Sequence, residues 1–195
     1  MPARSTQQAD LFAPPPAAGP PGFALEPELL GAEDEQRLAQ RLAALPLAPF
    51  EFHGFTGRRR VASFGWRYDF NTAAFERVEP IPDWLLDVRV AAARLADMEP
   101  EALEQALTTE YAPGAGIGWH KDRPVFDRVV GVSLLAPCNF RFRRRRAEGF
   151  DRLSLPLPAR SAYALGGEAR AVWEHSIPAV EALRYSITFR SLRRP

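Results

Sequence analysis

The hydrophobic positions of this chain change their period partway along it. Leu38, Leu42 and Leu45 recur at helical spacing between charged residues, and Pro46 follows them. Residues 32–45 are therefore expected to form an amphipathic helix. Residues 50–60 and 61–71 read instead as two strands joined near Gly57. Pro82, a favoured first-turn residue, opens a second predicted helix through Trp84, Val88, Ala91 and Leu95. After Pro100 the runs shorten. Residues 103–111, 129–135, 140–143, 152–157, 161–165, 172–177 and 184–189 are each strand-like. Proline and glycine punctuate them, at Pro113-Gly114, Pro137, Pro156, Pro158, Gly166-Gly167 and Pro178. Many short strands at such spacing predict a sandwich, jelly roll or barrel. No internal repeat is visible.

Composition narrows this picture. A chain of 195 residues, 46% hydrophobic and 25% charged with net charge +1, suits one globular domain with a sizeable core. No apolar run approaches the roughly 18 residues of a membrane span. Residues 1–10 lack the apolar stretch of a secretory signal, and Cys138, the one cysteine, forms no internal disulfide. A cytoplasmic, monomeric protein is expected. Six prolines fall between Pro2 and Pro21, with Ala17, Ala18 and Gly19 among them. Residues 1–22 are accordingly expected to be a disordered lead-in, and residues 23–195 a single domain. Within the lead-in, Gln8, Leu11 and Phe12 resemble the short peptide by which bacterial repair and replication proteins dock on a sliding clamp. A stub without function is the competing reading.

Lys121 is the single lysine among 25 basic residues. A GC-rich genome accounts for that arginine excess, although arginine is also the better bidentate partner for carboxylate and phosphate. Histidine is scarce. Only His53, His120 and His175 are present, and His53 reads as structural. On a strand, positions i and i+2 share a face, so His120 and Asp122 are expected to converge. With His175 they supply two imidazoles and one carboxylate, the donor set of non-haem Fe(II) oxygenases. Such a centre needs a co-substrate, and a dicarboxylate such as 2-oxoglutarate needs a buried cation. Residues 184–190, RYSITFR, place Arg184, Ser186, Thr188 and Arg190 on one strand face, with Tyr185, Ile187 and Phe189 on the other. An arginine-bearing face on a core strand is unusual unless something anionic sits there.

Residues 110–122, EYAPGAGIGWHKD, resemble the AlkB family of Fe(II)/2-oxoglutarate dioxygenases. The strand from Val130 to Leu134, Arg170 before the second histidine, and the paired arginines recur in the same order, so the resemblance covers roughly residues 23–190. It implies an α+β fold: a double-stranded β-helix (jelly-roll) core over roughly residues 100–192, preceded by an α/β nucleotide-recognition lid over roughly residues 50–80. It implies His120, Asp122 and His175 as ligands of Fe(II), with O2 as oxidant. It implies Arg184, Arg190 and Tyr111 at 2-oxoglutarate, with Thr109 and Ser186 standing where the family often has asparagine. Phe64, Trp66, Tyr68 and Phe70 alternate, which would put four aromatic rings on one strand face. A base taken from its stack needs such rings. The resemblance brings Trp66, Tyr68 and Phe70 to the base; a plain hydrophobic face is the competing reading. Arg123 and Pro124 follow the HxD where repair members often have acidic residues aimed at the base, and Asp127, which comes later, is the acidic candidate for substrate contact. Arg58–Arg60 and Arg143–Arg146 are candidates for phosphate contact, or for solvated loops. The function implied is oxidative removal of alkyl groups from damaged bases, in DNA and alternatively in RNA. The same chemistry on tRNA or a protein side chain, and a non-catalytic nucleic-acid- or partner-binding jelly roll, are the alternatives.

Overall fold

The computed structural model describes residues 19–52 and 54–194. The clamp-like peptide around Gln8, most of the proline-rich lead-in and His53 lie outside the described residues. Among those described, no helix is long and apolar enough to cross a membrane.

Two antiparallel sheets dominate the described chain. The larger has seven strands: β1 (Phe23–Glu26), β2 (Ala48–Phe52), β3 (Phe55–Phe64), β6 (Gln105–Tyr111), β8 (Phe126–Leu134), β11 (Ala162–Leu165) and β13 (Arg184–Leu192). Their order is β1-β11-β8-β13-β6-β3-β2. The smaller contains β7 (Ile117–His120), β9 (Cys138–Arg145), β10 (Phe150–Leu157) and β12 (Glu174–Ile177), in the order β10-β9-β12-β7. Two facing antiparallel sheets with strands exchanged between them are the jelly roll expected from the strand spacing. A two-stranded ribbon, β4 (Trp66–Tyr68) with β5 (Phe75–Arg77), stands apart.

Helices cover the back of the large sheet. Helix α1 (Ala32–Ala43) carries Glu33, Asp34 and Glu35 in its first turn and Arg41 in its last, which suits the helix dipole. Its buried face is Leu38 and Leu42. Glu35 accepts a hydrogen bond from the Leu135 backbone N–H at 2.8 Å and so ties the helix to the end of β8. Helix α2 (Leu86–Leu95), entered through a 3-10 turn at Asp83–Leu85, adds Val88, Ala92 and Ala93. These side chains pack on Val130, Val132, Ile187 and Phe189. A second core lies around Phe140, Phe142, Leu155, Leu157, Tyr163 and Trp173. Strand β13 thus has one face under the helices and one facing the small sheet, as its alternation implied.

Several boundaries differ from the sequence reading, three of them near the site or its approaches. The hairpin between β2 and β3 turns at Gly54, with φ +79°, and β3 continues through Gly57 with a shift of register against β2 there. The aromatic run 64–70 is not one strand. Gly65, at φ +75°, breaks it into the end of β3 and the start of β4, and the chain turns again after Tyr68. Strand β12 begins at Glu174 rather than at Val172, after a short helix α3 (Gly167–Ala171).

Candidate metal centre

His120 closes β7 and His175 lies on β12, and the two residues are direct antiparallel partners. Opposed residues share a face, so both rings emerge together, with centroids 4.3 Å apart. Asp122 reaches them by another route than expected. The strand ends at His120, so strand alternation does not aim the carboxylate. Arg190 does: its Nε donates to Asp122 Oδ1 at 2.8 Å from β13, in the opposite sheet. Arg170 Nη2 donates to the carbonyls of Arg123 and Phe126, each at 2.7 Å, and fastens the loop that follows. One ligand atom from each of His120, Asp122 and His175 then lies within 4.8 Å of the others.

The electrostatics suit a cation. Burial pushes His120 below its ordinary value. Burial, with His120 alongside, pushes His175 down to about 3. Both rings are therefore neutral near pH 7 and offer lone pairs. Burial alone would raise the Asp122 carboxyl, yet Arg190 facing it, then the two histidines, hold it well below the usual carboxylate range. His120 Nδ1 lies 2.9 Å from the Gly118 carbonyl oxygen; as a donor there it leaves Nε2 free to ligate. Asp122 Oδ2 is buried with no hydrogen-bond partner among the described residues, 3.5 Å from His175 Nε2. Two neutral imidazoles and a charged carboxylate with one unbonded oxygen fit Fe(II) with open coordination positions.

Beside this centre is a buried polar floor. Arg184, 1% exposed, stands opposite Tyr111 on β6. Its Nε donates to Ser133 Oγ at 3.1 Å, and its Nη1 is buried without a partner among the described residues. Ser186 sits between Thr109 and Ser133 in register, so three hydroxyl side chains cross three strands on one face. All three are buried. Tyr163, on β11 opposite Gly131, brings its ring to the same side, and burial with the nearby Asp122 charge raises its hydroxyl. A side chain at Gly131 would run into that ring. An unpartnered guanidinium arm among hydroxyls is a carboxylate receptor. Arg190 is committed differently from Arg184: it holds Asp122 and donates from Nη1 to Gln105 Oε1 at 2.9 Å.

The aromatic residues divide. Phe64 packs against the helix-side core. Trp66 stacks on Phe75 of the ribbon, 4.6 Å between centroids and 9° between planes. Tyr68 meets Phe70 edge to face at 5.0 Å. The tie between ribbon and centre is Arg123, next in sequence to Asp122. Its Nη2 donates to the Tyr68 hydroxyl at 2.5 Å, and its guanidinium lies 4.6 Å from the Tyr68 ring. A second tie runs from Gln105 Nε2 to the Trp66 carbonyl at 3.1 Å. Asp127 is exposed at the start of β8 and joins none of these contacts.

The sequence reading gave no site role to Ser133, Tyr163, Gln105 or Arg123. Ser133 did leave a signal, as the lone hydroxyl inside an apolar run. Gln105 and Arg123 left none, because their partners are 85 and 55 positions away. The arginines of β3 also diverge. Arg60 pairs with Glu110 through two bonds of 2.8 Å, whereas Arg59 turns to the Phe50 ring at 3.9 Å, where burial lowers its basicity.

A family model described as the 2OG-Fe(II) oxygenase superfamily matches residues 35–190. The mouse (Mus musculus) tRNA (carboxymethyluridine(34)-5-O)-methyltransferase ALKBH8 is 26% identical over 166 residues, 81% of this chain and 24% of that protein. The Arabidopsis thaliana alkylated DNA repair protein ALKBH8 homolog is 27% identical over 202 residues, 89% of this chain and 56% of that protein. The chain thus spans less than two thirds of either relative. Among solved structures, OsALKBH1 superposes with a TM-score of 0.67 at 16% identity, covering 91% of this chain and 100% of that one. An oxidoreductase of the 2OG-Fe(II) oxygenase family from Burkholderia pseudomallei gives 0.60 at 17%, covering 89% and 86%. At those identities the likeness is one of fold.

Proposed function

The chain belongs to the 2OG-Fe(II) oxygenase superfamily and, within it, to the AlkB family, and on that premise we propose that it oxidatively removes an alkyl group from a damaged nucleic-acid base. The family uses Fe(II), 2-oxoglutarate and O2. His120, Asp122 and His175 would hold the iron, which with 2-oxoglutarate supplies the oxidising power to hydroxylate a C–H bond. The rest falls to the chain. Arg184 grips one end of the co-substrate with its unpartnered Nη1, backed by Tyr111 and the hydroxyls of Thr109, Ser133 and Ser186. Arg190 keeps Asp122 ionised and aimed. A hydroxylated N-methyl group then falls away as formaldehyde and leaves the base restored.

The observation that carries the nucleic-acid reading is the Arg123–Tyr68 contact. It sets an aromatic ribbon of Trp66, Tyr68, Phe70 and Phe75 one residue from a metal ligand. Flat rings beside the oxidising centre suit a base taken out of its stack. We propose DNA carrying N-alkylated or etheno-bridged bases as substrate. tRNA is the second reading, favoured by the name of the mouse relative. A panel of singly modified DNA and RNA oligonucleotides, read by mass spectrometry, decides between them. Loss of the alkyl mass from DNA, dependent on iron and 2-oxoglutarate and abolished by His120→Ala, is the expected result. Turnover confined to RNA would reject DNA, and no turnover on either would reject the proposal.

A further inference from the structure

We propose that the outer face of the four-stranded sheet is a docking surface for a single strand of nucleic acid, holding nucleotides that flank the base at the metal centre. This rests on the nucleic-acid reading above. The face follows from alternation along β9. Phe140 and Phe142 point into the core, so Arg141, Arg143 and Arg145 point out. Register sets Ser154, Arg152 and Phe150 of β10 opposite those three arginines. On the other flank, Glu174 of β12 stands opposite Arg143, and Trp119 of β7 reaches the same surface.

Guanidinium and ring planes are layered there. Arg141 and Arg143 lie 5.1 and 4.7 Å from the Trp119 ring, and Arg143, Arg152 and Arg145 lie 4.7, 5.3 and 5.7 Å from Phe150. Among the described residues, Glu174 is the only carboxylate paired with any of these cations, through Arg143 at 2.5 Å. Arg145 and Arg152 are exposed and have no acidic partner among the described residues. The neighbouring arginines behave otherwise: Arg144 and Arg146 share Asp151 at 2.8 and 2.6 Å. Among the arginines of β9 and β10, those left without an acidic partner therefore lie on this outer face. A cavity of about 270 Å³ opens within it, reaching Lys121 at the end of β7.

This combination selects its partner. Rings and guanidinium planes offer stacking to any base, and unpaired arginines offer phosphate contacts, which together are the means of single-strand binding. From residue 141 to 145 the strand extends about 13 Å, enough for several phosphates. The face is also coupled to the centre. Trp119 and Lys121 flank His120, and Glu174 precedes His175, so the same two strands carry the histidine ligands inside and this surface outside. β7 is the sheet edge, over which a strand passes from one side to the other.

Fluorescence anisotropy with labelled, unmodified single-stranded 15-mer DNA tests the proposal on the full chain. Arg145→Glu with Arg152→Glu is expected to weaken binding at least about tenfold and to flatten the salt dependence by about 1.4 in log–log slope, the value for two lost phosphate contacts. Phe150→Ala is expected to weaken binding about fivefold or more through lost stacking. Iron-dependent decarboxylation of 2-oxoglutarate without nucleic acid should be unchanged in each variant. Unchanged DNA affinity in both variants overturns the proposal. So does equal binding of duplex DNA with no effect of Phe150→Ala, or displacement of the DNA by polyglutamate as readily as by an equal length of single strand. Binding that depends on this face without turnover of any modified oligonucleotide rejects the substrate reading alone; turnover without such dependence rejects the docking face alone.

Discussion

The residue that separates two roles is arginine. Arg184 and Arg190 sit six positions apart on the same face of β13, and alternation alone assigns them the same task. Their partners differ. Arg190 is spent on Asp122 and Gln105, while Arg184 keeps one buried arm without a partner among the described residues. An unsatisfied buried donor of that kind is costly unless a ligand completes it. Arg184→Gln should therefore weaken 2-oxoglutarate binding by about tenfold to a hundredfold, the range for a lost charged hydrogen bond. Equilibrium titration of anaerobic, metal-loaded protein measures this, with metal affinity itself expected to hold. Undiminished co-substrate affinity would refute the assignment.

Among the elements, the break at Gly65 decides what the aromatic run becomes. A continuous strand would have aimed four rings one way. The positive φ instead leaves Phe64 against the helices and starts a ribbon that reaches Arg123. A Cβ at Gly65 would collide with the Glu104 carbonyl oxygen as well as strain the backbone. Gly65→Ala is expected to cost about 1–3 kcal/mol, seen as a fall in Tm of about 2–12 °C for a chain of this size. An unaltered Tm would mean that the ribbon does not depend on this turn. The neighbouring Gln105 belongs to the same scale. Its side chain spans from Arg190 to the Trp66 carbonyl and links β13 to the ribbon through two hydrogen bonds.

The whole molecule enters through the buried centre that joins its sheets. His120 and His175 come from the small sheet, and Asp122 is held by the large one. His175 has its folded value depressed to about 3. Between that value and the unfolded one near 6.5, the unfolded chain binds the extra proton, so stability rises with pH and is lost as pH falls. At pH 5 the cost is roughly 2 kcal/mol, or about 4–8 °C in Tm. Melting of metal-free protein in chelator between pH 7.5 and 5 checks this, because most carboxylates stay ionised in that window. His175→Gln should flatten the profile, and a profile as steep as the parent's would contradict the assignment. Adding Fe(II) anaerobically near pH 7 should raise Tm in the parent and not in the variant.

Much of this protein was legible in its sequence because the relevant physics is local. Period two on residues 184–190 fixed which side chains of β13 face inward, and turn residues such as Pro113-Gly114 and Gly166-Gly167 marked strand ends, though Gly57 did not. The two motif histidines, the aspartate and the paired arginines were all named from short stretches of chain. What the sequence left open depends on contacts between distant segments. Asp122 lies beyond its strand and is aimed by Arg190, 68 positions away. Tyr163, Ser133 and Gln105 join the site only because β11, β8 and β6 come together in one sheet. The outer face of the small sheet exists only through the register of β7, β9, β10 and β12. Periodicity tells a side chain which way to point. Only the packed sheets decide what it meets there, since those partners are chosen by strand order and register rather than by neighbours along the chain.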